Sequence, residues 1–201
     1  MLKEAMATGV DYQQYLLILS ELLAAGKSSP SDTDEVKPEM IEYTKLNAHR
    51  MQRLDKTIEL SDSLLQAIAQ LNKKVSFLVI SEGWCGDAAQ NLPIIAKMAA
   101  ASAGKIDLKI VFRDSNLPLI DAYLTNGGRA IPKLIILDEN YQEIGVWGAR
   151  PANAQAMVVA FKAENPGVSH SEFAIALQNW YNQDKSLSLQ AEFETIIKGL
   201  N

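Results

Sequence analysis

The chain has 201 residues, of which 48% are hydrophobic and 21% are charged, a size and composition typical of one folded domain with an appendage. Its 19 basic and 24 acidic residues give a net charge of −5 without a dense cationic cluster, so we expect no nucleic-acid partner. No apolar run approaches the roughly 20 residues that cross a bilayer, so we expect no membrane span either. A single cysteine excludes an internal disulfide, and the N-terminal segment has no apolar signal core, so we predict a cytoplasmic protein.

Residues 1–72 are predicted to form a helical extension in front of the core. Apolar residues recur at helical spacing over residues 10–25, and we expect this amphipathic helix to pack on the core or on a second copy of the chain. Residues 26–38 are rich in Gly, Pro and Ser and are the predicted linker. A second helix is predicted over residues 39–56, and Ser61 is predicted to cap a third. The apolar face of that third helix is predicted to consist of Leu64, Leu65, Ile68 and Leu71.

From residue 73 the chain changes to alternating strands and helices, which we take as the core, residues 73–163. Residues 75–80 are continuously apolar and rich in β-branched side chains, as in a strand buried on both faces. The later core elements are predicted as a helix at 86–101, a strand at 106–112, a helix at 116–126, strands at 132–138 and 142–147, and a helix at 151–163. This order predicts an α/β fold with a mixed sheet flanked by helices. A C-terminal helical segment, residues 164–201, is expected to pack on the core and to break near residues 184–188.

Cys85, the only cysteine, is the candidate catalytic residue. It follows the first predicted core strand and starts the next helix, where backbone N–H groups and the helix dipole favour a thiolate. Asp87 would oppose a thiolate with its own charge, and Glu82 would add to that effect. Because these influences have opposite signs, the sequence leaves open whether the thiol is reactive or buried and inert. Asp87 is either a helix-start acid or a proton-transfer group.

Two motifs make the chain resemble the thioredoxin superfamily. Trp84, Cys85 and Gly86 match the Trp-Cys-Gly element of that family, and "GGRAIP" at residues 127–132 matches the turn before its cis-proline. The resemblance implies a thioredoxin-like mixed sheet with additional N-terminal and C-terminal helices around it.

The resemblance also implies a cis Ile131–Pro132 bond that turns an unpaired backbone edge toward Cys85, where an extended substrate can pair. A trans proline at the first residue of a strand is the alternative. Trp84 would form a flat apolar wall beside the thiol or serve as a core aromatic. The substrate-binding residues implied in this way are Trp84, Gly86, Asp87, Arg129, Ile131 and Pro132.

The chain departs from the family at the second thiol. Ala88 occupies the position of the resolving cysteine, and Val79 occupies that of the buried acid that assists it. Asp87 replaces the usual proline. The two-thiol cycle of thioredoxin is therefore ruled out within one chain.

Arginines follow three strand ends on the side of the site. Arg113, Arg129 and Arg150 can together hold an anionic group such as a glutathione carboxylate, or they are surface residues in salt bridges. We expect no resident cofactor, with glutathione as the candidate co-substrate. His49 and His170 are isolated in the sequence, so we expect no metal site.

Two functions from different classes follow from these residues. In the first, Cys85 attacks a disulfide and an external thiol, from glutathione or from a partner protein, resolves the mixed disulfide. In the second, the protein is a redox-inactive thioredoxin-fold module that binds a protein or peptide. The retained Trp84–Cys85–Gly86 element favours the first. A third hypothesis is an iron–sulfur cluster that bridges two chains, although monothiol proteins of that type use a different loop after the cysteine. The expected partner is a protein or a small thiol or disulfide, and a homodimer through the first helix is a further expectation.

Overall fold

The computed structural model describes residues 1–31 and 37–201. Within these residues the helices are α1 (Leu2–Thr8), α2 (Tyr12–Ala24), α3 (Pro38–Thr57), α4 (Asp62–Gln70), α5 (Gly86–Ala101), α6 (Leu117–Asp121), α7 (Ala152–Glu164), α8 (His170–Asp184) and α9 (Leu187–Gly199). The strands are β1 (Val75–Ser81), β2 (Ile106–Phe112), β3 (Lys133–Leu137) and β4 (Glu143–Gly148). Part of the predicted linker, residues 32–36, lies outside the described residues. None of the helices described is both long and apolar enough to cross a membrane.

The four strands form one mixed sheet in the order β2-β1-β3-β4. Strand β1 is parallel to β2 and antiparallel to β3, and β3 is antiparallel to β4. Every residue of β1 except Ser76 is buried, because the strand is central and helices cover both faces of the sheet. The predicted α/β fold with a mixed sheet flanked by helices is therefore confirmed.

Helix α4 confirms its predicted cap and corrects its predicted apolar face. The Ser61 hydroxyl accepts a hydrogen bond from the backbone N–H of Leu64. Leu64, Ile68 and Leu71 are buried, whereas Leu65 is 39% exposed, so its assignment to the apolar face was wrong. The buried three recur at intervals of three and four residues, while Leu65 is rotated by about 100° from Leu64 around the helix axis.

Two short helices differ from the prediction. Helix α6 ends at Asp121 rather than near residue 126. Farther on, Asn126 and Gly127 take positive φ angles of 50° and 78° and form a turn between the paired residues Thr125 and Gly128. Helix α1 was not predicted, since seven residues give too few repeats for a periodic signal.

The C-terminal helices divide between two hydrophobic clusters. The predicted break falls at Lys185 and Ser186, which have φ angles of 50° and 65°. Beyond it, Phe193 of α9 lies in the main core, with its ring centroid 5.3 Å from that of Trp147. Helices α7 and α8 instead share a smaller cluster that consists of Ala154, Val158, Leu177 and Tyr181. Helix α8 is thereby positioned beside the start of α5 rather than inside the core.

Candidate functional site

Cys85 is the N-cap residue of α5, four residues after the end of β1 at Ser81. The turn between them depends on Gly83. A Cβ atom at that position would lie 2.6 Å from Leu19 Cδ2 and 2.9 Å from Thr44 Cγ2. A side chain at this position would displace both neighbours, so glycine favours the close packing of α2 and α3 against the loop that carries the cysteine.

The thiol of Cys85 is held between backbone groups. Its Sγ donates to the carbonyl oxygen of Ile131 at 3.2 Å and accepts from the N–H of Ala88 at 3.5 Å. The Ile131–Pro132 peptide bond is cis. Only 7% of the Cys85 surface is exposed. The sulfur is thus engaged with the turn before β3 rather than projecting into solvent.

Burial is the main influence on the acidity of this thiol. Burial first, and the charge of Asp87 second, raise the pKa of Cys85 to about 12. The backbone N–H groups of Ala88 and Asp87 and the charge of Arg150 act in the opposite direction and are weaker. Glu82, which we expected to add to the effect of Asp87, is not among the groups that shift this pKa. The thiol is therefore protonated at neutral pH.

Asp87 anchors three parts of the chain to one another. Its carboxylate accepts from Arg150 Nη2 at 2.6 Å and from the Tyr181 hydroxyl at 2.7 Å. Asn91 donates both to the backbone oxygen of Asp87 and to the Tyr181 hydroxyl. Burial raises the pKa of Asp87, while Arg150 and Tyr181 lower it. These contacts join α5 to α8 and to the segment after β4, which is a structural role for the acid that starts α5.

The other two predicted arginines also have carboxylate partners. Arg113 Nη2 lies 2.7 Å from Asp114 Oδ1, and its guanidinium carbon stands 4.5 Å from the centroid of the Trp84 ring. Arg129 contacts both carboxylate oxygens of Asp121, at 2.6 and 2.9 Å. The charge of Arg113 is thus neutralised by the next residue along the chain, and that of Arg129 by the last residue of α6.

Glu82 is a second buried acid, on the side of the loop toward β2. It is fully buried, and its Oε1 accepts from the backbone N–H of Asp114 at 2.9 Å. Burial raises the pKa of Glu82 to about 7, against the weaker lowering effect of that backbone hydrogen bond. The acid ties the end of β1 to the end of β2.

A cavity of about 480 Å³ opens in front of the cysteine, between α3 and α8. We name it the α3–α8 cavity. Of the predicted site residues, it is lined by Trp84, Cys85, Gly86 and Asp87. The remaining three, Arg129, Ile131 and Pro132, lie outside its lining, Ile131 being in contact with the thiol from the other side.

Two residues of α3 belong to this site and were missed in the sequence. Asn47 is buried and donates through Nδ2 to the carbonyl oxygen of Gly83 at 2.9 Å. Arg50 donates through Nη1 to Asn47 Oδ1 at 2.8 Å. The available signal was the spacing of Tyr43, Asn47 and Arg50, which places all three on one face of the helix. Within the described residues, no three or more His, Cys, Asp or Glu side chains cluster as a metal site would require.

Comparison with known proteins identifies the family. A sequence profile described as thioredoxin matches residues 34–165, more than half of the chain, and the protein therefore belongs to the thioredoxin family. No curated protein matches the sequence.

Two solved structures share the fold across almost the whole chain. One is a protein of unknown function from Pseudomonas aeruginosa, PA1234, with a TM-score of 0.62, 18% identity, and coverage of 99% of this chain and 98% of that one. The other is an HIV epitope-scaffold, with a TM-score of 0.61, 18% identity, and coverage of 98% and 97%. At such identities the likeness is one of fold alone, and it includes the N-terminal and C-terminal helices.

Proposed function

We propose that this thioredoxin-family protein is a binding protein: the α3–α8 cavity holds a ligand beside Cys85, and the thiol does not run a disulfide-exchange cycle at neutral pH. The observation that carries this proposal is the enclosure of Cys85, which is 7% exposed and whose thiol donates a hydrogen bond to the Ile131 carbonyl. The proposal keeps the redox-inactive binding role predicted from the sequence, but it replaces the protein or peptide expected along the edge at Pro132 with a ligand in the cavity.

The chemistry of thiol exchange supports this choice. The thiolate is the attacking species, and enzymes that use it supply a cation, a helix N-terminus or a second thiol to lower its pKa. Here the cation that lowers the pKa of Cys85, Arg150, is paired with Asp87, whose own charge raises that pKa. The start of α5 remains as a favourable influence, but burial outweighs it.

The cavity supports a binding role. Its volume of about 480 Å³ falls within the range of small-molecule sites, roughly 300 to 1,000 Å³. Its lining combines apolar and aromatic side chains of α3 and α8 with polar ones that include Asn47, Arg50 and Asp87. That combination is what a binding site for a small organic molecule requires.

The test is mixed-disulfide formation with oxidised glutathione at neutral pH, followed by intact mass spectrometry. We expect the native protein to gain no glutathione. Cys85→Ser is the negative control, because it has no thiol that could form a mixed disulfide. The same protein in denaturant is the positive control, because unfolding removes the burial and exposes the thiol. Rapid stoichiometric glutathionylation of the native protein would overturn the proposal.

Monothiol exchange is the second candidate, and one observation favours it: Cys85 lines the α3–α8 cavity next to Trp84, so that a disulfide held there can meet the sulfur. Cys85 would attack one sulfur of the disulfide and release the other as a thiolate. Glutathione or a partner's cysteine would then attack the mixed disulfide and return Cys85 to its reduced form. We propose the cytoplasm as the location for either function, because its thiol pool keeps a lone cysteine reduced.

A further inference from the structure

Arg50 lies on the wall of the α3–α8 cavity, and within the described residues no carboxylate is within salt-bridge distance of its guanidinium. Its Nη1 donates to the neutral amide oxygen of Asn47. Burial and the like charge of Arg53 lower the pKa of Arg50. A half-buried cation with these neighbours gains free energy when an anion reaches it.

The guanidinium stands beside the Cys85 loop. A Cβ atom added at Gly86 would lie 4.0 Å from Arg50 Nη1, so this cation is close to the first turn of α5. The positive end of a helix and a guanidinium favour the same occupant, a carboxylate or another small anion. An anion placed here would lie at the base of the cavity, next to Cys85 but not bonded to it.

Among the described residues, no other group of the cavity neutralises Arg50. Asp87 is the only Asp or Glu in the part of the lining that the structure describes, and its two oxygens accept from Arg150 and Tyr181. The guanidinium of Arg50 therefore gives the lining one uncompensated positive charge, which a ligand with a single negative charge would match.

The apolar side chains of the cavity wall favour a ligand whose body is apolar. The apolar and aromatic side chains that line the cavity on α3 and α8 include Met40, Tyr43, Leu46, Phe173, Ile175 and Leu177. Leu46 and Ile175 are 47% and 62% exposed, so apolar surface remains open at both sides of the cavity. Covering it with a hydrocarbon chain or ring is favourable by roughly 25 cal/mol for each Å² removed from water.

We propose that the α3–α8 cavity binds an amphipathic carboxylate, with its carboxylate on the Arg50 guanidinium and its apolar body between α3 and α8. This inference rests on the proposed binding function and names the ligand class. The planar guanidinium can meet both oxygens of a carboxylate, which gives orientation as well as affinity.

The test uses decanoate as the ligand and 1-decanol as its uncharged match, titrated into the full chain by calorimetry. We expect decanoate to bind with one site per chain and more tightly than 1-decanol. Arg50→Gln should weaken decanoate by at least about tenfold, the loss expected for one charge-assisted hydrogen bond, and leave 1-decanol unchanged. Arg53→Gln is the matched control, since Arg53 lies one turn along α3 and does not line the cavity.

Several outcomes would overturn the inference. They are the absence of decanoate binding, equal affinity for decanoate and 1-decanol, and equal losses in Arg50→Gln and Arg53→Gln. Displacement of decanoate by an equal concentration of reduced glutathione, a polar carboxylate, would contradict the requirement for an apolar body.

The same measurements separate this inference from the proposed function. If decanoate failed to bind and oxidised glutathione formed no mixed disulfide with Cys85, the proposed ligand class would be wrong and the redox-inactive function would stand. If decanoate bound and glutathione reacted with native Cys85, the redox-inactive function would be wrong and the ligand class would stand.

Discussion

The two walls of the α3–α8 cavity differ in whether their charged side chains are paired with an opposite charge. On the wall that carries the Cys85 loop, the Asp87 carboxylate is paired with Arg150 and receives a hydrogen bond from Tyr181. On the wall that α3 forms, the hydrogen-bond partner of Arg50 within residues 1–31 and 37–201 is a neutral amide. Charges neutralised within the chain hold the loop in place, and a charge left without a counter-ion is available to a ligand. The contrast predicts large stability effects on the loop wall and small ones on the α3 wall.

The largest effect should come from Arg150→Ala. This substitution leaves the Asp87 carboxylate, 8% exposed, without its ion-pair partner, and breaking a buried pair in this way costs about 3–5 kcal/mol. We expect the free energy of unfolding in urea to fall by about that amount. Arg129→Ala is the control, because its pair with Asp121 is exposed and should contribute little. Equal losses in the two variants would contradict the structural role of the Asp87 pair.

The next effect is a pH dependence due to Glu82. Its pKa rises from 4.5 to about 7 on folding, so between these values the unfolded chain loses this proton before the folded one does. The contribution of Glu82 to stability therefore falls as pH rises from 4.5 to 7, by on the order of 3 kcal/mol in total. The variant Glu82→Gln keeps the shape of the side chain and removes its ionisable carboxyl group.

Urea unfolding at several pH values measures this contribution. Wild type should lose stability relative to Glu82→Gln as pH rises through that window, and the difference should level off above pH 7. A constant difference between the two proteins from pH 4.5 to 7 would show that burial does not raise the pKa of Glu82.

The smallest effect is expected for Arg50→Gln. The substitution removes a half-buried cation and its hydrogen bond to Asn47, but it leaves no carboxylate unpaired among the described residues. We expect the free energy of unfolding to change by about 1 kcal/mol or less. A loss as large as that of Arg150→Ala would make Arg50 a structural residue and would remove the contrast between the two walls.

The sequence predicts the scaffold of the site because the relevant signals are local. The continuous apolar run of residues 75–80 indicates a central strand, and Cys85 follows it at the start of a helix as predicted. The order of strands and helices then requires a mixed sheet. Ser61 likewise caps α4 because capping depends on residues only three positions apart.

The charge pattern of the site could not be predicted in the same way. Arg150 pairs with Asp87 across 63 residues of sequence, and Arg50 belongs to a helix that no motif connects to Cys85. The acidity of the thiol is a similar case. The sequence contains the helix start and the nearby carboxylate, but burial, the largest cause, depends on how α2 and α3 pack on the loop.

The protonated state of Cys85 is the central claim, and a pH titration of its thiolate by ultraviolet absorbance tests it directly. The spectrum of Cys85→Ser, subtracted at each pH, removes the contribution of the tyrosines. We predict no thiolate step at or below pH 8.5, roughly the value of a free thiol, and a step at lower pH in Asp87→Asn than in wild type, since the charge of Asp87 raises the pKa of Cys85. A thiolate step near or below neutral pH in the wild-type protein would contradict the claim and favour monothiol exchange.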